Sequence, residues 1–190
     1  MLTLANQLTM FRMVMIPLLI TLLLRNLHGW ALTVFVLAGL TDALDGLIAR
    51  RYRQSSHLGA FLDPMADKLL MTACFIVLAL PDHPKSVPDF HMINHIPVYL
   101  TIVTISRDVF IVIIALLVHL TSGLTSFRPT FLGKLTTVVQ VVTIGTVILL
   151  NYLGKEQEVL VAGLVWLTLA VTLASGFHYI YRATMTAGAE

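Results

Sequence analysis

Four aspartates, Asp42, Asp45, Asp63 and Asp67, stand at helical spacing in sequence that otherwise suits a hydrocarbon environment. On a helix Asp42, Asp45, Gly46, Ala49 and Arg50 follow one another at i, i+3, i+4, i+7 and i+8, which places all five on one face. Gly59, Asp63 and Asp67 repeat this at i, i+4 and i+8 on a second helix. Four such carboxylates cannot all stay ionised in a low-dielectric site, so either some are protonated or cations are present. No Cys or His accompanies them in the stripes, and the donor set suits hard divalent ions, Mg²⁺, Mn²⁺ or Ca²⁺, rather than zinc. Gly46, Ala49 and Gly59 leave room for a ligand to approach the backbone, and Arg50 offers a planar fork to phosphate oxygens. The combination suggests a metal-bridged phosphate or pyrophosphate, with a carboxylate left over to take a proton from an attacking hydroxyl.

The elements that must position these groups are helices. Residues 51–57 allow only a tight connection, so the two acidic helices are expected to be antiparallel neighbours. Asp45 and Asp63 then lie a few residues in from the turn, with Asp42 and Asp67 about one turn deeper. The 190 residues are 57% hydrophobic and 12% charged, with a mean hydropathy of +0.88. This points to a polytopic membrane protein of one domain, 1–190, and away from a soluble enzyme. A net charge of +2 gives no ground for a nucleic-acid partner. Cys74, the single cysteine, excludes an internal disulfide and reads as apolar filler.

An all-α bundle of six transmembrane helices is expected at about 9–24, 30–52, 58–80, 96–120, 132–152 and 159–181, after a short interfacial helix over 2–10. The start of the chain lacks the pattern of a cleavable signal peptide, so the N-terminus is expected to be retained. Arg12, Arg50, Arg51, Arg53, Arg128, Lys134 and Arg182 fall at one side of this topology, against Arg25, Lys85 and Lys155 at the other. That bias puts both termini and the mouth of the aspartate site on the cytoplasmic side, or in the equivalent compartment of an organelle inner membrane.

Other polar residues have bland readings beside functional ones. Arg107 and Asp108 near mid-membrane are a site by default, or a salt bridge tying helices together. Lys68 is a snorkelling or salt-bridged lysine, or a contact to the acceptor. Arg128 and Lys134 greet an anionic headgroup, or merely set topology. Asn6, Thr9 and Arg12 share a face and read as interfacial anchors. His83, His91 and His95, in a segment with three prolines, read as solvated loop in preference to a metal site.

The pattern D-x2-D-G-x2-A-R-x8-G-x3-D-x3-D, met here at every fixed position from Asp42 to Asp67, resembles the signature of the CDP-alcohol phosphotransferases. The resemblance implies an integral membrane enzyme, a homodimer, that displaces CMP from a CDP-linked lipid or alcohol with an acceptor hydroxyl. It implies a two-metal centre of Mg²⁺ or Mn²⁺ on Asp42, Asp45 and Asp63, with Asp67 both contributing to it and acting as general base. Gly46, Ala49, Arg50 and Gly59 would surround the nucleotide, Asn6, Thr9 and Arg12 would complete the nucleotide or phosphate pocket, and Arg107 would bind the acceptor's phosphate, with Asp108 beside it.

Within the family the chain resembles the phosphatidylglycerophosphate synthase and cardiolipin synthase branch, through Asn6-Gln7-Leu8-Thr9-Met10-Phe11-Arg12, Gly59-Ala60-Phe61-Leu62-Asp63-Pro64 with Asp67-Lys68, and Ser175-Gly176-Phe177-His178-Tyr179. The first of these synthases typically follow their fourth-span arginine with glutamate and place another arginine eight residues on; Asp108 and Ala115 stand there instead. Arg107-Asp108 with Arg128-Pro129-Thr130-Phe131 and Lys134 is more similar to the eukaryotic-type cardiolipin synthases. The expected donor is therefore CDP-diacylglycerol, and the expected acceptor is phosphatidylglycerol, with glycerol-3-phosphate as the alternative. The missing cation argues modestly against that dianion. An ion- or proton-coupled transporter would also bury such charges, but would not need Gly46, Ala49 and Gly59 in register with them. An intramembrane prenyltransferase typically places its two aspartate-rich motifs far apart in sequence.

Overall fold

A computed structural model of the chain describes residues 4–52, 57–82, 87, 89–122 and 131–187. Among them there are six helices and no strands: α1 Leu4–Leu24, α2 His28–Tyr52, α3 His57–Leu78, α4 Val98–Ser122, α5 Phe131–Leu153 and α6 Glu158–Ala187. Long apolar segments adopt helices because each backbone N–H and C=O then finds its partner within the segment. Starts and ends fall within a few residues of the expected spans, except that α6 runs on to Ala187 and α1 begins at Leu4. The interfacial helix expected over 2–10 is not a separate element. No Gly or Pro interrupts residues 4–16, so the lead-in continues into the span as one helix, and Pro17 is accommodated inside it. Among the described residues, Phe131–Leu153 and Glu158–Tyr181 are long and apolar enough to cross a membrane, and Met10–Leu24 and His28–Thr41 are shorter apolar stretches.

Two helices end in the same way. After α1, Asn26 takes a left-handed φ of 58°, its N–H bonds to the Leu23 carbonyl and that of Leu27 to Leu22. After α5, Gly154 has φ 62°, its N–H bonds to Asn151 and that of Lys155 to Leu150. Both are Schellman caps, which satisfy the last carbonyls of a helix and favour Gly or Asn at the left-handed residue. Asn26 adds what glycine cannot: its Nδ2 donates to the Asp89 carbonyl (2.6 Å) and its Oδ1 accepts from the His91 N–H (3.0 Å).

The chain divides into two compact units. Unit 1 is Met1–His95 with Ile144–Gln157, and unit 2 is Ile96–Thr143 with Glu158–Glu190. In unit 1, α1 packs against both α2 and α3. Leu19, Leu23, Ala31, Phe35, Ala38, Ala66, Leu70, Cys74, Phe75 and Leu78 are buried. The segment after α3 was expected to be a solvated loop, yet its described part is built into this core, with Phe90, Met92 and Asn94 buried. Asn151, buried near the end of α5, accepts from the N–H groups of Ile93 (2.8 Å) and Asn94 (3.0 Å) and donates to the carbonyls of Asn94 and Val147 (2.9 Å each). Asn94 in turn donates to the Lys155 carbonyl (2.8 Å) and accepts from the Gln157 N–H (3.2 Å). Each amide thereby satisfies backbone groups that burial would otherwise leave orphaned.

In unit 2, α4 packs against α6. Thr136, Gln140 and Thr143 on α5 and Thr168, Thr172 and Ser175 on α6 form two buried rows with the same i, i+4, i+7 spacing. The hydroxyls of Thr143 and Thr168 lie 2.8 Å apart, and Thr136 donates to the Leu132 carbonyl (2.8 Å) and more weakly to that of Val171 (3.4 Å). Small hydroxyl residues let apolar helices approach closely and hydrogen-bond across the gap.

Candidate active site

The acidic motif lies on α2 and α3, each of which packs against α1. On α2 the buried positions Ala31, Phe35 and Ala38 recur at helical spacing, and the same stripe continues through positions 42 and 45. On α3 the buried positions Leu70, Cys74 and Leu78 continue back through positions 67 and 63. Both sets of aspartates therefore occupy register positions on the faces that unit 1 buries. The side chains of Asp42, Asp45, Gly46, Ala49, Arg50, Gly59 and Asp63, and of Asn6 and Thr9, lie outside those described, although all nine residues are helical. Asp67 and Lys68 are described: both are half-buried and both are engaged in polar interactions.

Arg12, which reads either as an interfacial anchor or as part of the nucleotide or phosphate pocket, is fully buried, at 0% exposure, on the α1 face that carries Leu19 and Leu23, which overturns the first of these readings. An interfacial anchor would keep its head in water; a guanidinium removed from water requires compensation, and Arg12 is engaged with a partner. It lies about a dozen residues from the Leu24 end of α1, much as position 42 does from His28 and Asp67 from Leu78. Arg12, Asp42 and Asp67 thus register at similar depth in unit 1. A charged residue inside an apolar run is the sequence signal for such a role.

The donor set at positions 42, 45, 63 and 67 is all oxygen and fits a hard divalent ion. Among the described side chains, no three His, Cys, Asp or Glu converge to hold a metal. In the segment after α3, His91 Nδ1 and His95 Nε2 contact the Asp82 carboxylate at 3.3 Å and 3.2 Å, with all three side chains partly exposed. Asp82 also accepts the Met92 N–H at 2.9 Å. That backbone bond holds its carboxyl below the usual range against the opposing effect of burial, with His95 and His91 adding to it. His83 lies outside the described residues.

Unit 2 holds a second polar centre. Arg107 donates from Nη1 to Asp108 Oδ1 at 2.8 Å and from Nη2 to Ser175 Oγ. Its side chain is 9% exposed, and its Nε is buried without a hydrogen-bond partner among the described residues. Gly176 of α6 lies beside it, and an added Cβ there would stand at ordinary contact distance, 3.7 Å, from Arg107 Cγ. The expected buried pair of Arg107 and Asp108 is therefore present, and Ser175 is an additional partner that the charge pattern alone does not reveal. Lys134 is exposed on α5, and Arg128 lies outside the described residues.

A family model, CDP-alcohol phosphatidyltransferase, matches residues 2–174. Human cardiolipin synthase (CMP-forming) is 31% identical over 200 residues, covering 97% of this chain and 62% of the relative. A probable phosphatidylglycerophosphate synthase of Mycobacterium tuberculosis is 31% identical over 195 residues, covering 97% and 83%. Streptomyces coelicolor cardiolipin synthase (CMP-forming) is 33% identical over 142 residues, covering 72% and 60%. The chain spans a little under two thirds of the length of the human relative. With an intact eight-position motif on two helices and a family match over nearly its whole length, the chain belongs to the CDP-alcohol phosphatidyltransferase family.

Proposed function

We propose that the protein transfers the phosphatidyl group of CDP-diacylglycerol to a hydroxyl of phosphatidylglycerol, forming cardiolipin and releasing CMP. The observation that carries this reading is the complete aspartate motif, set on helix faces continuous with the buried stripes of unit 1. The family is membrane-bound and in general depends on divalent metal. Asp42, Asp45, Asp63 and Asp67 would hold two ions, Mg²⁺ or Mn²⁺, which supply charge neutralisation to the pyrophosphate. Gly46, Ala49 and Gly59 admit the nucleotide to the backbone, Arg50 takes phosphate oxygens, and Asn6 and Thr9 close the pocket.

Asp67 accepts the proton of the acceptor hydroxyl as that oxygen bonds to the lipid-proximal phosphorus. The bond from this phosphorus to the bridging oxygen breaks, and CMP departs with the electron pair. Arg107, set by Asp108, binds the acceptor's phosphate, with Lys68, Arg128 and Lys134 as further cations toward its headgroup. Both units act as one catalytic domain over 1–190, in a homodimer whose six spans open the site to the cytoplasm or the equivalent organelle compartment.

Glycerol-3-phosphate is the second reading for the acceptor. It draws support from the Mycobacterium relative and from the CDP-diacylglycerol--glycerol-3-phosphate 3-phosphatidyltransferase of Sodalis glossinidius, 43% identical over 76 residues or 38% of this chain. The Arg107–Asp108 pair favours the first reading, because a carboxylate 2.8 Å from the guanidinium offsets much of the charge a dianion would seek. The test is CMP release from CDP-diacylglycerol by purified protein with Mg²⁺ or Mn²⁺, with each acceptor in turn. Turnover with phosphatidylglycerol supports the proposal, turnover with glycerol-3-phosphate alone selects the second reading, and no CMP with either rejects both.

A further inference from the structure

Between α4 and α6 of unit 2 runs a groove of about 310 Å³. Its walls are largely apolar, including Ile102, Ile111, Ile114, Leu173 and Phe177. Ser106, Arg107, Thr172 and Tyr179 also line it, and two of these bring a buried atom that the described residues leave unsatisfied. They are Arg107, with its Nε, and Thr172, fully buried, with its Oγ1. Hydrocarbon walls alone would mean only contact with bulk lipid, but an orphaned donor in such surroundings is costly and points to a partner that the described residues do not supply.

We infer that this groove seats one acyl chain of a lipid acceptor, with the acceptor's phosphodiester on Arg107 Nε and a headgroup or ester oxygen on Thr172 Oγ1. The inference rests on the reading of phosphatidylglycerol as acceptor and adds where and how its lipid part is recognised. Charge selects the occupant. Arg107 is already paired with Asp108 and bonded to Ser175, which leaves Nε as the one guanidinium nitrogen with no partner among the described residues. That suits the single charge of a phosphodiester better than the double charge of a phosphomonoester. The apolar walls then have a use that a water-soluble acceptor would lack. Ser175, fully buried, holds the guanidinium plane so that Nε keeps its place in the groove wall.

Two measurements test this. In the first, purified wild-type protein is irradiated with phosphatidylglycerol carrying a diazirine in one acyl chain, and adducts are mapped by mass spectrometry. Adducts in α4 and α6 that unlabelled phosphatidylglycerol displaces at least tenfold more effectively than phosphatidylcholine support the groove. Equal competition, or adducts confined to other helices, overturns it. This readout needs no turnover, so it stands apart from the choice of reaction: a protein that turns over only glycerol-3-phosphate fails the functional reading, while the adducts separately judge the groove. In the second, Leu173→Trp and Ile111→Trp narrow the groove without touching Arg107. The KM for dioleoyl-phosphatidylglycerol rises at least fivefold while that for the dihexanoyl form changes less than twofold. A parallel change in both, or none in either, overturns the inference.

Discussion

In unit 1 the sequences of α2 and α3 set four aspartates at the register of the stripes that run through Ala38 and Leu70, and Arg12 is buried in the same unit. In unit 2 the opposite arrangement holds: Arg107 brings its own counter-ion at 2.8 Å, and the rest of the buried polarity is hydroxyl and amide, from Thr136 through Ser175. A cluster of like charges is unstable until something of opposite sign arrives, whereas a paired cation among hydroxyls is close to neutral when empty. The difference separates two tasks. On the proposed function, unit 1 would be completed by ions and a pyrophosphate, and unit 2 would sort what approaches a nearly neutral centre.

Breaking the charge in unit 1 gives the largest expected effect. Asp67→Asn removes the base and keeps the shape, so CMP release falls by about 10³-fold, or ~4 kcal/mol in the barrier, while metal-dependent binding of the CDP-lipid persists. Near wild-type turnover in that variant would show that the proton leaves by another route. Removing divalent metal by chelation comes next. If the ions complete unit 1, the melting temperature falls on chelation by the equivalent of about 2.7 kcal/mol for a site a hundredfold saturated, and Asp42→Asn blunts this response whereas Arg107→Lys does not.

The contrast sharpens in unit 2. Arg107→Lys retains the charge and loses the fork, so the acceptor KM rises about tenfold, or ~1.4 kcal/mol, with the KM for CDP-diacylglycerol unchanged. A shift in both constants would show that the two units do not divide the work. The smallest effect is expected at Asp82, remote from either centre. The Met92 N–H holds its carboxyl below the usual range, so the folded protein binds that proton less readily than the unfolded chain. Its stabilisation is complete above the unfolded value of about 3.9 and is lost as pH falls through the lower folded value. The small gap in melting temperature between wild type and Asp82→Asn should therefore be present at neutral pH and close as pH falls through the folded-state value.

Apolar length made most of the fold legible: a helix expected over 132–152 is found at Phe131–Leu153, because a segment of that hydropathy has few alternatives. The motif was equally legible, since fixed spacing of Asp, Gly and Arg is a direct statement about helix faces. Other features depend on packing that spacing does not encode. Asn6, Thr9 and Arg12 would share a face at an interface or in a core, and only the burial of Arg12 decides between them. Asn151 in the last turns of α5 resembles an ordinary polar terminus until its four hydrogen bonds to Ile93, Asn94 and Val147 are seen. The prolines at 81, 84 and 88 suggested a solvated loop, and they masked the apolar anchors Phe90 and Met92 that follow. The interfacial helix failed for a simpler reason, that nothing in residues 4–16 stops α1.

The amides of Asn26, Asn94 and Asn151 fasten one end of unit 1 like a buckle, joining the turn after α1, the strap after α3 and the tail of α5. Helices tied at one extremity spread most easily at the other. The aspartate motif lies toward the other end of α2 and α3, so on the proposed function the breathing that admits a bulky nucleotide and later discharges it would be confined to the end where the chemistry would occur.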